Sequence, residues 1–146
     1  MIINSCELQT GTAFRFGSKE SGCWRLGKIV NNEVKLSTAV TASAAFPILL
    51  PALDRKWNLF SRDKKLMSKR LFLTDGGVYE NLGISCLEPG KSELFSYNAF
   101  LSDDIICCNA GQGQFALDSF PSWWPLRVSK SFLSVFRKVQ DNYADK

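Results

Sequence analysis

An acid followed by two glycines, Asp75-Gly76-Gly77, comes directly after the apolar run 71–73 and Thr74. A short apolar run that stops in this way predicts a buried strand that delivers a carboxylate to the rim of a sheet. The chain contains no histidine, so it cannot form a Ser-His-Asp or Cys-His site by itself. If Asp75 is a catalytic residue, it must act as a base without the help of a histidine imidazole from this chain. The same three residues are also typical of a simple turn after a strand.

The elements expected before Asp75 are a hairpin and a helix. Residues 1–16 alternate weakly and predict two strands with a turn at 9–12. Ser37 or Thr38 is expected to cap a helix that runs through Ala45 and stops before a proline. Because this helix consists mostly of small residues, it can lie close to another backbone.

The elements expected around and after Asp75 are strands and a second helix. Residues 54–70 are polar and basic, which predicts a connector, and residues 71–74 are the strand that follows it. Residues 104–111 repeat the same design, an apolar run that ends in a polar residue and a glycine. A helix is expected from Ser129 onward, with apolar residues spaced by three and four.

Two buried strands with helical segments between them predict an α/β sheet. In such sheets ligands bind beyond the carboxyl ends of the strands. Asp75 and Asn109 each follow an apolar run, so we expect both side chains at that edge of the sheet.

Four segments are informative because of their order along the chain. They are residues 4–11 with 14–16, residues 42–47 with 50–51, residues 73–83 and residues 105–111. Together they resemble the carboxyl-terminal part of bacterial patatin-like phospholipases, over residues 2–140. The resemblance implies that residues 1–146 are the carboxyl-terminal portion of one such domain. It implies a partial three-layer α/β/α fold with a mostly parallel central sheet, its amino-terminal strands missing.

The resemblance also implies an activity, that of a lipid acyl-ester hydrolase with a Ser-Asp dyad. Asp75 would be the general base of that dyad, within the family's Asp-Gly-Gly motif, which Gly76 and Gly77 complete. Asn81 and Asn109 would be supporting residues, and Asn109 stands where the family usually has aspartate. A serine hydroxyl becomes a strong nucleophile only when an adjacent base takes its proton. Burial would have to raise the pKa of Asp75 for it to be that base.

The nucleophile of that dyad is not found in this chain. The family carries it in a Gly-x-Ser-x-Gly pentapeptide, and no such pentapeptide occurs here. The glycine-rich oxyanion loop is also missing, and Ser43 lies in the small-residue helix, where a structural role is expected. We therefore expect an upstream polypeptide to carry the serine, and little activity from this chain alone. The alternative is a catalytically inactive remnant or a lipid-surface interaction module.

Composition sets the remaining bounds. The chain has 146 residues and a net charge of +4, which suit one domain and do not by themselves call for nucleic acid. The five cysteines are odd in number and match no zinc-binding spacing. Reduced thiols are expected, with no metal and no cofactor. The amino terminus has no signal-peptide pattern, which predicts a cytoplasmic protein.

A peripheral membrane contact is a further expectation from the sequence. Trp57, Leu59 and Phe60 are interleaved with the basic side chains of residues 55–70. Such a combination suits an anionic lipid surface, where charge attracts and rings insert at the level of the headgroups. A solvated loop is the alternative. The expected partner is a phospholipid or another acyl ester, and no nucleic acid is expected.

Overall fold

Six strands form a closed antiparallel barrel in the computed structural model of the chain. The structure describes residues 1–47, 49–80, 82–88, 97–100, 102–106 and 123–144, with side chains of the last helix described as far as residue 135. The barrel closes because the last strand pairs with both the fifth and the first. The strands are β1 (Ile2–Glu7), β2 (Thr12–Gly17), β3 (Ser21–Cys23), β4 (Gly27–Ile29), β5 (Leu53–Phe60) and β6 (Leu66–Asp75).

Short turns explain why neighbouring strands run antiparallel. Residues 8–11 join β1 to β2, and the two strands pair along their whole length. Gly11 in this turn has a φ of 63°, a left-handed conformation that glycine adopts without steric cost. The hairpin predicted from residues 1–16 is therefore confirmed.

The basic segment 54–70 belongs to a second hairpin, and its prediction as a connector was wrong. β5 pairs antiparallel with β6 along the whole length of β5. Trp57 and Leu59 are buried, whereas Asn58 and Phe60 are exposed. This is the period of two that a half-buried strand requires. The charged residues at the start of β5 obscured the alternation in the sequence.

The fold class predicted from the sequence was also wrong. Parallel strands need a crossover of roughly a dozen or more residues, and in this barrel only the connection from β4 to β5 is that long. The predicted strand at 71–74 is part of β6, which lies between β1 and β5 and is antiparallel to both. The mostly parallel three-layer α/β/α sheet is thus replaced by an antiparallel barrel. Residues 104–106 form no strand, and residues 107–111, Asn109 included, lie outside the described residues.

Two α-helices accompany the barrel in the described part of the chain. α1 (Leu36–Ser43) packs against β1 and β6, which confirms the predicted small-residue helix. Its N-cap is Lys35, not Ser37 or Thr38, and no side chain makes a capping hydrogen bond there. α2 (Trp124–Ala144) begins before the predicted position Ser129.

The core fills the barrel and the face of α1 that packs on it. Phe14 is fully buried, and its ring lies 5.1 Å from that of Phe16 and 6.5 Å from that of Trp57. Ala39 and Ala42 of α1 join this cluster, so the helix approaches the strands closely. The other members of the cluster are Cys23, Leu26, Ile29, Leu59, Leu71 and Leu73. This packing holds the end of β6 in place next to the end of α1.

Candidate functional site

Asp75 is the last residue of β6, as the sequence predicted for a strand that ends in an acid. Its backbone N–H donates a hydrogen bond to the carbonyl of Ala45 at 3.0 Å. The hydroxyl of Thr74 donates to the same carbonyl at 2.6 Å. Two hydrogen bonds therefore fasten the end of β6 to the segment that follows α1, and they fix the backbone from which the carboxylate projects.

The carboxylate of Asp75 caps a short 3₁₀ turn over Gly76–Val78. Its Oδ1 accepts a hydrogen bond from the N–H of Gly77 at 2.7 Å. The carbonyl of Gly76 then accepts hydrogen bonds from the N–H groups of Tyr79 and Glu80, at 3.1 and 3.0 Å. The alternative structural role of the motif, a turn after a strand, is thus present in the fold, and it occupies one of the two carboxylate oxygens.

Gly76 is required by close packing against β1. A Cβ at this position would lie 2.5 Å from the carbonyl oxygen of Asn4 and 2.7 Å from its carbonyl carbon. Both are backbone atoms, which cannot move without displacing the strand. A glycine here lets the turn after Asp75 lie directly on β1.

Burial controls the acidity of Asp75. Desolvation raises the pKa of its carboxyl above the ordinary value of 3.8, and the hydrogen bond from the Gly77 N–H lowers it in part. A carboxylate is a weak base at its usual pKa, so an upward shift makes it a better proton acceptor near neutral pH. This is the direction that the proposed chemistry requires.

Two buried polar atoms next to Asp75 have no hydrogen-bond partner among the described residues. They are Oδ1 of Asn4 and Oγ of Ser5. Ser5 is the direct cross-strand partner of Asp75 in the β1–β6 pair, so both side chains lie on the same face of the sheet. Buried polar groups are nearly always hydrogen-bonded in native proteins. Within the described part of the chain, the neighbourhood of Asp75 therefore has unused hydrogen-bonding capacity, which the sequence did not indicate.

Neither Ser5 nor Ser43 has the placement of a nucleophile. Ser5 is fully buried, so a substrate cannot reach its hydroxyl. Ser43 is the last residue of α1 and is only partly buried, as expected for a helical residue. Asn81 and Asn109, the predicted supporting residues, lie outside the described residues.

A buried polar network that sequence analysis missed fixes the segment after the motif. Glu80 is buried, and its Oε1 accepts a hydrogen bond from the N–H of Ser85 at 2.5 Å. The Ser85 hydroxyl accepts from Arg15 Nη2 at 2.8 Å, and Arg15 Nη1 donates to the carbonyl of Tyr97 at 3.3 Å. The only local sign of this network in the sequence is Arg15 itself, a charged residue between two phenylalanines in β2. Its partners, 70 and 82 residues away, have no local signature.

Two cavities formed by described residues lie away from Asp75. One cavity of about 250 Å³ includes Phe16, Val34 and Ala39 in its lining, and another of about 530 Å³ includes Tyr97 and Phe100. Neither lining includes the Asp-Gly-Gly motif. In the part of the chain that the structure describes, no three acidic or cysteine side chains are grouped so that they could hold a metal ion. Nor does that part contain a helix with the length and apolarity needed to span a bilayer.

Comparisons with protein-family models, with curated proteins and with solved structures find no match. A function for this chain is therefore inferred from the geometry around Asp75 and from the resemblance in sequence.

Proposed function

We propose that this chain supplies the general base of a lipid acyl-ester hydrolase of the patatin-like kind, and that the base is Asp75. One observation above all supports this function. The carboxylate stands at the end of a buried strand, with its pKa raised by desolvation and only one oxygen engaged by the turn that follows. A residue that served only to cap the turn would gain nothing from a desolvated charge.

The reaction would use Asp75 in both halves of the cycle. The carboxylate takes the proton of a serine hydroxyl while the serine Oγ forms a bond to the carbonyl carbon of the ester. When the tetrahedral intermediate collapses, the bond to the leaving alcohol breaks and Asp75 returns the proton to the alcohol oxygen. Water then repeats the sequence on the acyl-serine and releases the fatty acid. A single carboxylate suffices for these transfers, which fits a chain with no histidine.

We expect the serine to come from a polypeptide segment outside residues 1–146, called the upstream segment below. The absence of a Gly-x-Ser-x-Gly pentapeptide from residues 1–146 supports this assignment, as does the complete burial of Ser5, the serine opposite Asp75.

The test is hydrolysis by the chain expressed together with its upstream coding segment. Phospholipid vesicles and a soluble aryl ester serve as substrates. Asp75→Asn should lower the rate by roughly 10²–10⁴-fold, the usual contribution of a general base. Asp103→Asn is the matched control, because Asp103 is exposed and lies outside the β5–β6 hairpin, and it should leave the rate unchanged. Undiminished hydrolysis by Asp75→Asn would remove Asp75 from the mechanism.

A non-catalytic lipid-surface module is the second candidate, and the β5–β6 hairpin favours it. That hairpin exposes apolar side chains beside basic ones at its tip. If no upstream segment restores hydrolysis while lipid binding persists, this second function replaces the first.

We further propose that the protein works in the cytoplasm, peripherally at a membrane. Three cysteines, Cys6, Cys23 and Cys86, are free and buried in the described part of the chain. Free thiols are typical of a reducing compartment.

A further inference from the structure

On its β6 side the β5–β6 hairpin extends well past the neighbouring strand β1, whereas β4 lies beside the end of β5 next to the turn. β4 pairs with β5 only at Leu59 and Phe60, and β1 pairs with β6 only from Leu73 to Asp75. The far end of the hairpin, residues 60–67, is called the hairpin tip below. It comprises the end of β5, the turn 61–65 and the start of β6.

Hydrogen bonds within the tip fix its conformation. The N–H of Ser61 donates to the carbonyl of Lys65 at 2.9 Å, and the N–H of Lys64 donates to the carbonyl of Ser61 at 2.9 Å. The hydroxyl of Ser61 accepts from the N–H of Lys65 at 3.2 Å. The tip is therefore a preformed shape that needs little ordering when it binds.

Large apolar side chains are exposed on both faces of the tip. Phe60 and Leu66 are a cross-strand pair on one face, with exposed fractions of 36% and 65%. Met67 pairs with the buried Leu59 on the other face and is 36% exposed. Directly behind these residues, Leu59 and Trp57 anchor the same hairpin in the core.

The positive charge of the protein is concentrated in this hairpin. Residues 54–70 contain seven basic and two acidic side chains, a net charge of +5, whereas the whole chain carries +4. The rest of the chain is therefore slightly acidic. Within the turn, Arg62, Lys64 and Lys65 stand against the single acid Asp63. One of the two acids, Asp54, is already paired with Arg70.

We infer that the hairpin tip is the element that docks this protein on an anionic lipid bilayer. Basic side chains beside the tip attract the negative surface, while Phe60, Leu66 and Met67 enter the headgroup region. Charge complementarity selects this occupant. A nucleic acid would also attract the lysines, but the exposed side chains of Leu66 and Met67 gain nothing from phosphates, whereas they can enter the headgroup region of a bilayer. The inference deepens the proposed function, because a bilayer surface presents the ester substrate.

The test is binding of the 146-residue chain to vesicles by co-sedimentation. Vesicles of phosphatidylcholine alone are compared with vesicles that contain about one quarter phosphatidylserine, the class of lipid that attracts basic segments. Binding is expected to the anionic vesicles and to weaken as salt is raised. Lys64→Glu with Lys65→Glu should weaken it by roughly 30-fold or more, the effect expected from removing two basic residues at an anionic surface.

Matched control variants separate the tip from general electrostatics. Lys19→Glu with Lys35→Glu makes the same charge change at exposed positions away from the tip. Leu66→Ser is compared with Leu36→Ser, since the two leucines are 65% and 59% exposed. Only the tip variants should lose binding. Because all these side chains are exposed, the variants should fold, which a thermal melt checks.

Equal losses of vesicle binding in the tip and control variants would overturn the inference. Binding to duplex or single-stranded nucleic acid without binding to vesicles would overturn it as well.

Failure of the proposed function is distinguishable from failure of the docking. Asp75→Asn should abolish hydrolysis but leave vesicle binding unchanged. The tip variants should weaken hydrolysis of vesicles while leaving that of a soluble aryl ester intact.

Discussion

Replacement of Asp75 by asparagine and by alanine should have opposite effects on stability. Asparagine keeps an oxygen that accepts the hydrogen bond from the Gly77 N–H, now 2.7 Å from Asp75 Oδ1. It also removes a charge that burial disfavours. At neutral pH, Asp75→Asn should therefore be at least as stable as the native chain. Alanine removes the acceptor and leaves the N–H of the buried Gly77 unpaired. Loss of such a cap costs about 1–2 kcal/mol.

The pH dependence gives the second part of this prediction. The folded-state pKa of Asp75 is raised above the ordinary value of 3.8. The folded chain then holds this proton more tightly than the unfolded chain does, so the native protein loses stability as pH rises through the raised pKa. Below pH 3.8 the native side chain is neutral, like asparagine. The stability advantage of Asp75→Asn should therefore be absent in acid and should grow toward neutral pH.

Thermal and urea unfolding followed by circular dichroism measure both effects. For a domain of about this size, 1–2 kcal/mol corresponds to roughly 2–8 °C in Tm, the loss expected for Asp75→Ala. Because all other groups titrate equally in the native chain and in Asp75→Asn, their difference isolates Asp75. The reasoning would be refuted by an Asp75→Asn variant as unstable as Asp75→Ala, or by a difference that does not change with pH.

Three further outcomes are expected from the same fold. Gly76→Ala should lower the free energy of unfolding in urea by about 3 kcal/mol, because its Cβ would meet backbone atoms of Asn4. Gly11→Ala is the control: its added Cβ meets open space at a φ of +63°, so it should cost only about 1 kcal/mol. Equal costs would contradict the close approach of Gly76 to Asn4. Glu7→Ala should lower the free energy of unfolding by about 3 kcal/mol or more. The buried carboxylate of Glu7 accepts hydrogen bonds from the N–H of Gln9 and from both the N–H and the hydroxyl of Thr10. An unchanged midpoint of urea denaturation would contradict a stabilising role for these hydrogen bonds. Burial raises the pKa of the Cys6 thiol to about 11, so peptide mapping should find Cys6 unalkylated after iodoacetamide treatment of the native chain and alkylated after treatment in concentrated urea.

Local features of the structure were predictable from the sequence, because they depend on neighbouring residues. The hairpin over residues 1–16 follows from alternation and a glycine turn. The end of a strand at Asp75 follows from an apolar run that meets an acid and two glycines. α1 follows from a run of mostly small residues that stops before a proline.

The barrel itself was not predictable, because an apolar run such as 71–73 reads the same in a parallel and in an antiparallel sheet. The decisive feature is the pairing of β6 with β1, which joins residues about 70 positions apart. That pairing places Ser5 opposite Asp75, a contact with no trace in local spacing. β5 was missed for a related reason. Trp57 and Leu59 are buried in the folded chain, but they become so only when the barrel closes around them.

The most direct measurement of the central claim is labelling with a fluorophosphonate, which reacts with serines that an adjacent base activates. The chain is expressed with its upstream segment, and the labelled peptide is identified by mass spectrometry. We predict a single labelled serine outside residues 1–146, with labelling lost in Asp75→Asn and kept in Asp103→Asn. Labelling that persists in Asp75→Asn would contradict the assignment of Asp75 as the base. Labelling of a serine within residues 1–146 would contradict the assignment of the nucleophile to a segment outside this chain.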